Sequence, residues 1–506
     1  MLARLLDLPL IVILMGIAAL AMLAPAAYAL TLSDHQTARA FFYSALLFLV
    51  LTALIGIATA GYLPRNAARS HLQTLVYAFV FLPLMLAIPF VEAIRDTSYL
   101  NGWFEMVSAF TTTGATLYHT PGRLGAALHL WRAEVGWLGG FFTLVTAVAI
   151  LAPMNLGGFE VITGGSVGRN TTGTAQITRI ADPSERLVRY ALRLFPIYAA
   201  LTLALWLGLL LVGETGFVAL CHAMSVLSSS GISPVQGLTG GQAGIAGEFV
   251  VFPFLFFAIS RRTLPGGVQA DTATPLVRDP EFRIAVMLMV LVAALLLLRH
   301  WVGAIERDAA EDPASLFRVL WGSVFTVLSF LSTTGFESAD WTEATAWSGL
   351  DSPGLILLGL ALVGGGVATT AGGVKLLRVY ALFKHGQREM ERLVHPHSIG
   401  GAGVMARRLR RQGAYIAWIF FMLFAISLAL TLLALSLTGL AFEDALAFAV
   451  AALSTTGPLA QFVTEVPIHY AELHPGAKAI LAAAMVLGRL ETLAIIALLS
   501  PDLWRG

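Results

Sequence analysis

The sequence predicts an all-α polytopic membrane protein, in which two extra transmembrane helices precede four membrane–pore-loop–membrane repeats around one pore. Three observations support this fold class. The chain of 506 residues is 57% hydrophobic and only 12% charged, whereas soluble proteins carry about 25% charged residues. Apolar runs of about 20 residues, long enough to cross a bilayer, recur along the whole chain. A short polar motif also occurs four times at a nearly even spacing, which indicates an internal repeat.

The apolar runs define the membrane segments and the repeat boundaries. We expect spans near 8–30, 41–62, 71–94, 132–156, 191–212, 248–260, 284–302, 353–384, 414–439 and 477–500. The two leading helices then occupy residues 1–66, and the four repeats occupy residues 67–160, 161–275, 276–390 and 391–506.

The distribution of basic residues predicts the orientation. With the N-terminus inside, 22 of the 31 Lys and Arg residues fall on the inner side, as the positive-inside rule requires. We therefore expect a multi-pass protein of the cell inner (plasma) membrane with both termini cytoplasmic. The first 30 residues also resemble a cleavable signal peptide ending in AYA at 27–29. We expect the first span to be retained, because a cytoplasmic N-terminus then gives every later loop a side that fits the distribution of basic residues.

The repeated motif is a triplet of two hydroxyl residues and a glycine that ends a short apolar segment. The four copies read AFTTTGATL, VLSSSGISP, LSTTGFESADW and LSTTGPL. Their members are Thr112, Thr113, Gly114, Ser229, Ser230, Gly231, Thr333, Thr334, Gly335, Thr455, Thr456 and Gly457. A small residue stands six positions before each glycine: Ser108, Ser225, Ser329 and Ala451.

The triplets have the chemistry of a cation filter. The segment 319–332 is too short to cross a bilayer, which favours a re-entrant helix. Non-helical backbone at membrane depth must be buried in protein or line water, and rings of carbonyls can replace the hydration shell of an ion. Small residues that help helices pack are the alternative interpretation, but four evenly spaced copies favour the filter. Because each repeat carries one glycine, we expect one or two well-formed ion-binding sites in the filter and modest selectivity among cations.

The span 353–384 is interrupted by GGGVATTAGG. Each of its five glycines costs about 1 kcal/mol against alanine in a helix, so the helix should break there. A helix-packing face and a phosphate-cradling loop are two possible interpretations. We favour a third, a flexible loop that lines the ion path below the filter, with Thr369 and Thr370 hydrating the ion.

Arg489 is predicted to lie within the last span. It is 12 residues past Ala477, hence about 18 Å along the helix, and an arginine at that depth costs roughly 2.5–3.5 kcal/mol. One hypothesis places its guanidinium in the pore beside the glycine-rich loop, where it would repel cations and hold the loop carbonyls. The alternative is an inter-helix salt bridge. Glu491 points elsewhere on the helix and could pair with Lys375.

These motifs resemble the Trk/Ktr/HKT superfamily of potassium transporters, in its TrkH branch, over essentially the whole chain. The most specific segments are GGGVATTAGGVKLLRVYAL (364–382), MVLGRLE (485–491), WLGGFFTLVTAVAIL (137–151) and DPEFR (279–283). The resemblance implies potassium uptake, with K⁺ as the transported ion at the filter residues. It also implies that the interrupted span acts as the gate, with residues Gly364, Gly365, Gly366, Ala368, Thr369, Thr370, Ala371, Gly372, Gly373, Lys375 and Arg489. The second triplet departs from the family, because Ser230 stands where glycine is common.

The resemblance further implies a homodimer and a cytosolic TrkA-type regulatory ring that binds nucleotides. No nucleotide motif in a plausible context occurs in this chain, so regulation should come from outside it. We expect the ring to dock on inner cationic residues: Arg261, Arg262, Lys384, Arg388, Arg392, Arg407, Arg408, Arg410 and Arg411. The alternative is ordinary positive-inside charge.

Two rival functions make different predictions. An ion-coupled secondary transporter, a potassium symporter with protons or sodium, would show inverted repeats and carboxylates at membrane depth. A membrane-embedded enzyme would need a cluster of His, Asp or Glu, whereas the 11 histidines are scattered along the chain. We therefore expect a non-enzyme with no organic cofactor in this chain.

Membrane lipids should surround the protein, and the net charge of +1 gives no indication of nucleic-acid binding. The single cysteine, Cys221, cannot form an internal disulfide.

Overall fold

The structure, a computed structural model, describes residues 8–61, 67–152, 183–263, 276–307, 313–348, 352–395, 411–464 and 467–490. These residues form helices and loops and contain no strand. Within them, seven helices are long and apolar enough to cross a membrane: Leu10–Thr31, His35–Ala58, Gln73–Ile94, Ala126–Leu151, Arg186–Leu211, Pro280–Arg299 and Gly413–Ser436. The predicted all-α polytopic fold is confirmed.

Each triplet follows a helix that is shorter than the seven membrane-spanning helices. These four helices, called the short helices below, are Tyr99–Phe110, Gly216–Ser228, Pro313–Leu331 and Phe442–Leu453. A return helix follows each triplet: Ala126–Thr146, Gly244–Leu255, Gly354–Val363 and Pro475–Leu490. The fourth return helix packs against the first short helix, so the last repeat contacts the first.

Two helices begin about six residues before their predicted spans. The second leading helix starts at His35 because the Asp34 carboxylate accepts a hydrogen bond from the Thr37 backbone N–H at 3.1 Å, which caps the helix start. The first return helix starts at Ala126 and includes Arg132, which forms an ion pair with Glu105 at 2.8 Å. Both helices begin with polar residues, so a prediction from apolar runs places their starts too late.

The interrupted span is broken where the glycines predict. One helix ends at Val363, the next begins at Leu376 and continues to Val394, and no helix forms over 364–375. Gly364 and Gly373 have φ angles of 69° and 76°, which glycine adopts without a Cβ penalty. The intervening stretch, 364–375, is called the glycine-rich loop below.

Candidate functional site

The four triplet loops, residues 111–114, 228–231, 332–335 and 454–457, meet in chain order. A Cβ added to Gly114 would overlap the Ser230 carbonyl oxygen, and one on Gly231 would overlap that of Thr334. A Cβ on Gly335 would lie 3.2 Å from the Pro458 ring, and one on Gly457 would overlap the backbone of Ala115. Each loop therefore abuts the next and the fourth abuts the first. Together they form a closed ring.

Left-handed backbone occurs at the same position in all four loops, two residues before the glycine. The φ angles are 55° at Thr112, 52° at Ser229, 59° at Thr333 and 54° at Thr455. Such a conformation costs about 1–3 kcal/mol at a non-glycine residue. Glycine is the residue type that adopts such backbone most readily. Gly114, Gly231 and Gly335 do have positive φ angles, and Gly457 has none.

The small residue six positions before each glycine has a definite structural role. Its carbonyl accepts a hydrogen bond from the backbone N–H just before the glycine, at 2.8 Å for Ser108, 2.9 Å for Ser225, 3.0 Å for Ser329 and 2.8 Å for Ala451. This bond closes the end of the short helix, much as helix C-caps do. The Ser108 hydroxyl also donates to the Ala115 carbonyl at 2.7 Å, so a larger side chain would displace the chain beyond the triplet.

The hydroxyl groups of the ring fall into two sets. In every loop the hydroxyl just before the glycine pairs with the hydroxyl two residues earlier: Thr111 with Thr113 at 2.8 Å, Ser228 with Ser230 at 3.0 Å, Ser332 with Thr334 at 3.0 Å, and Ser454 with Thr456 at 3.2 Å.

The hydroxyls of the left-handed residues differ. Those of Thr112 and Thr455 are buried without a hydrogen-bond partner in the described part of the chain. Leaving a buried hydroxyl unsatisfied costs about 1–3 kcal/mol, so these two oxygens suit a polar ligand such as water or a cation.

The ring is buried and electronegative. None of its eight triplet hydroxyl residues is more than 1% exposed, and all four short helices end directly before a triplet loop. The C-terminus of a helix carries a partial negative charge, and the loops add carbonyl and hydroxyl oxygens. This arrangement can coordinate a cation stripped of its water.

The glycine-rich loop lies directly against the ring. The Thr370 hydroxyl donates to the Leu227 carbonyl at the end of the second short helix, at 3.3 Å. The Gly372 N–H donates to the Thr333 hydroxyl at 2.8 Å. A Cβ on Gly372 would overlap the Thr455 hydroxyl. The loop therefore touches the second, third and fourth repeats at the end of the ring where the left-handed residues lie.

The other side of this loop is fixed to the segment around Ala258 and Glu281. The Gly366 N–H and the Thr369 hydroxyl both donate to the Ala258 carbonyl at 2.9 Å. The Val367 N–H donates to Glu281 Oε1 at 2.7 Å, and Glu281 is only 4% exposed. Glu281 is not among the site residues predicted from the sequence, although it lies within the DPEFR segment.

Two cationic side chains hold the same loop. Arg489 donates from Nη2 to the Thr370 carbonyl at 2.7 Å and from Nε to the Thr143 hydroxyl at 3.1 Å. The expected hydrogen bond from Arg489 to a loop carbonyl is therefore present. Lys375 Nζ donates to the Ala371 carbonyl. Glu491, considered above as a partner for Lys375, lies outside the described residues.

Buried carboxylates hold the chain just beyond the triplets. Glu105 accepts from the Leu117 N–H and the Thr116 hydroxyl, and Glu248 accepts from the Ser338 hydroxyl at 2.6 Å and the Ala339 N–H at 2.7 Å. Sequence reasoning missed both because they occupy different positions in their repeats, so no periodicity marks them. Beside them, burial and the nearby Glu248 raise the pKa of Glu337 to about 7.

Comparisons with known proteins identify relatives of this chain. The profile of the family TrkH, described as a cation transport protein, matches residues 244–504. The Trk system potassium uptake protein TrkH of Vibrio parahaemolyticus is 31% identical over 430 residues, 83% of this chain and 83% of that protein. The TrkH protein of Halomonas elongata is 30% identical over 464 residues, 89% of this chain and 90% of that protein.

A solved structure also matches. The crystal structure of the potassium transporter TrkH from Vibrio parahaemolyticus covers 100% of both chains, with a TM-score of 0.80 and 26% sequence identity.

Proposed function

Because the chain belongs to the TrkH family of cation transport proteins, we propose that it carries potassium ions into the cell through the ring of four triplet loops. The named relatives are potassium uptake proteins, which supports transport rather than catalysis. The observation that carries the proposal is the closed ring, with the unpartnered hydroxyls of Thr112 and Thr455 at its edge.

The proposed filter consists of backbone carbonyls at residues 112–114, 229–231, 333–335 and 455–457. These oxygens replace the water that potassium loses on entry, while the helix C-termini offset its charge. The hydroxyls of Thr112 and Thr455 face the ion as it leaves the ring and regains water. The strained backbone at these positions persists because the surrounding packing fixes its conformation.

The glycine-rich loop is the proposed gate. Its contacts with Leu227, Thr333 and Thr455 support a position across the exit of the ring. Opening requires the loop to leave those contacts and its anchor at Glu281. Arg489 favours the closed state through Thr370 and repels cations there. A homodimer and a cytosolic TrkA-type nucleotide-binding ring complete the proposed assembly in the inner membrane.

One observation keeps the ion-coupled alternative open. Glu134 lies within the span Ala126–Leu151, and its Oε2 atom is buried without a hydrogen-bond partner among the described residues. A carboxylate at membrane depth is a common proton site in coupled transporters. Potassium symport with protons is therefore the second candidate function.

Flux through the purified chain in proteoliposomes tests both candidates. For a channel-like pore, potassium flux should follow the potassium gradient and membrane voltage, with a pH gradient alone causing no uptake. Uphill potassium uptake driven by a pH gradient and abolished by Glu134→Gln would instead establish the coupled mechanism. Absence of potassium flux under every gradient would reject the proposed function.

A further inference from the structure

The fourth triplet loop holds its glycine differently from the other loops. The N–H groups of Gly114 and Gly335 reach back to their own short helices, to the carbonyls of Ser108 and Ser329 at 3.3 and 3.2 Å. The Gly457 N–H instead donates to the Thr113 carbonyl of the first loop at 2.6 Å. Gly457 also lacks the positive φ of the other three glycines, so its peptide group has a different orientation.

The Gly457 carbonyl is bound by a tyrosine behind the ring. The Tyr470 hydroxyl donates to this oxygen at 3.0 Å. Tyr470 is 2% exposed, and its ring packs 5.9 Å from that of Phe104 and 4.8 Å from that of Phe448. Phe104 and Phe448 belong to the first and fourth short helices, so the carbonyl points toward these helices and away from the axis.

A proline fills the fourth quarter of the ring at the glycine level. The Pro458 ring lies 2.8 Å from the position of a Cβ on Gly231 and 3.2 Å from that of a Cβ on Gly335. It therefore contacts the second and third loops. This quarter presents an apolar ring where the other loops end in a glycine with left-handed backbone.

We propose that Tyr470 determines ion specificity in this chain by holding the Gly457 carbonyl out of the ion's coordination shell. The glycine level then offers carbonyls from three loops instead of four. Since preference among cations depends on the number of coordinating carbonyls, the missing ligand lowers discrimination between potassium and sodium. This inference rests on the proposed filter and revises it at one position, by removing the Gly457 carbonyl from the ion ligands.

Tyr470→Phe tests the inference, with Tyr99→Phe as the matched control. The Tyr99 hydroxyl also donates to a backbone carbonyl, that of Leu84 at 2.7 Å, so the control loses the same kind of bond away from the ring. The ratio of potassium to sodium permeability, from reversal potentials, should rise about fivefold in Tyr470→Phe, the equivalent of one net hydrogen bond. It should not change in Tyr99→Phe.

The other outcomes are decisive as well. A purely structural role for Tyr470 would lower the flux of both ions and leave the ratio unchanged, which would overturn the inference, as would a lower ratio. If Tyr470→Phe does not fold, Phe448→Leu decides, because loss of the ring packed 4.8 Å from that of Tyr470 weakens the hold of the hydroxyl on the Gly457 carbonyl. The ratio should then rise about twofold, and an unchanged ratio in Phe448→Leu would also overturn the inference. Wild-type protein without potassium flux would reject the proposed function itself.

Discussion

At the scale of single residues, the ring depends on positions that admit no larger side chain and on hydroxyls with fixed partners. Glycine at the end of each triplet is required by contact with the neighbouring loop. The hydroxyl before it is tied back to its own loop. Substituting a triplet glycine should therefore change ion preference, whereas substituting a residue that holds the glycine-rich loop should change gating.

Gly114→Ser is the most direct test of the filter. A Cβ at this position would overlap the Ser230 carbonyl oxygen, and the φ of 73° disfavours any side chain. We expect the ratio of potassium to sodium permeability to fall about tenfold, measured from reversal potentials. Gly122→Ser is the control, because nothing lies within 4 Å of its Cβ position. Unchanged selectivity in Gly114→Ser would remove the first loop from the filter.

Arg489→Ala tests the closed state of the gate. Loss of the hydrogen bond to the Thr370 carbonyl, and of the positive charge, should raise basal potassium flux about fivefold in the absence of a regulatory partner. Arg489→Lys keeps the charge and should have a smaller effect. Lower flux with normal expression would mean that Arg489 stabilises the fold.

Glu337→Gln tests for an acid-sensitive entrance. The carboxyl has a pKa of about 7, so it is neutral at lower pH and negatively charged at higher pH. A negative charge two residues beyond Gly335 attracts cations. Potassium flux should therefore rise about twofold between pH 6 and pH 8, and the Gln variant should lose this dependence. An identical pH profile in the variant would exclude Glu337 as its cause.

At the scale of elements, the glycine-rich loop was predictable and its anchors were not. Five glycines within ten residues predict the break in the span, and the helices end at Val363 and resume at Leu376. Nothing local indicates that Glu281, far away in the chain, accepts from the Val367 N–H. Similarly, Thr112 and Thr455 adopt left-handed backbone against their intrinsic preference, because contacts between loops decide their conformation.

Glu281→Ala tests the anchor of this loop. Removing the acceptor of the Val367 N–H at 2.7 Å should loosen the closed loop and raise potassium flux about fivefold, roughly the worth of one net hydrogen bond. Ion preference should remain unchanged, since Glu281 does not contact the ring. Glu281→Gln retains an acceptor oxygen and serves as the control. Altered selectivity at normal flux would contradict the assignment of this loop as a gate.

At the scale of the whole molecule, the repeat pattern predicts the ring but not its asymmetry. Four evenly spaced triplets on short helices indicate four equivalent quarters, and the loops do meet in chain order. The fourth quarter departs because two residues outside its triplet act on the ring. Tyr470 binds the Gly457 carbonyl of its own repeat, and Pro458 contacts the second and third loops. The predicted Arg407–Arg410 part of the docking surface lies outside the described residues. Of the described members, Arg261 and Arg262 lie in a turn after the second return helix, and Arg411 begins the helix Arg411–Ser436. Lys384, Arg388 and Arg392 lie on the helix Leu376–Val394, which continues from the glycine-rich loop.

Charge reversal on that helix tests whether an external ring controls the gate. Lys384 is exposed and Arg388 partly exposed, on a helix that begins where the glycine-rich loop ends, so a partner bound there can pull on the loop. Lys384→Glu with Arg388→Glu should weaken binding of a cytosolic TrkA-type ring about tenfold, since each surface charge contributes up to about 1 kcal/mol. Titration of the cytosolic ring against detergent-solubilised protein measures this affinity. Higher salt should also weaken binding to the wild type. Arg123→Glu, in the turn Pro121–Arg123 that follows the first triplet, is the control. Equal affinity for wild type and the double variant would mean that these residues are ordinary positive-inside charge.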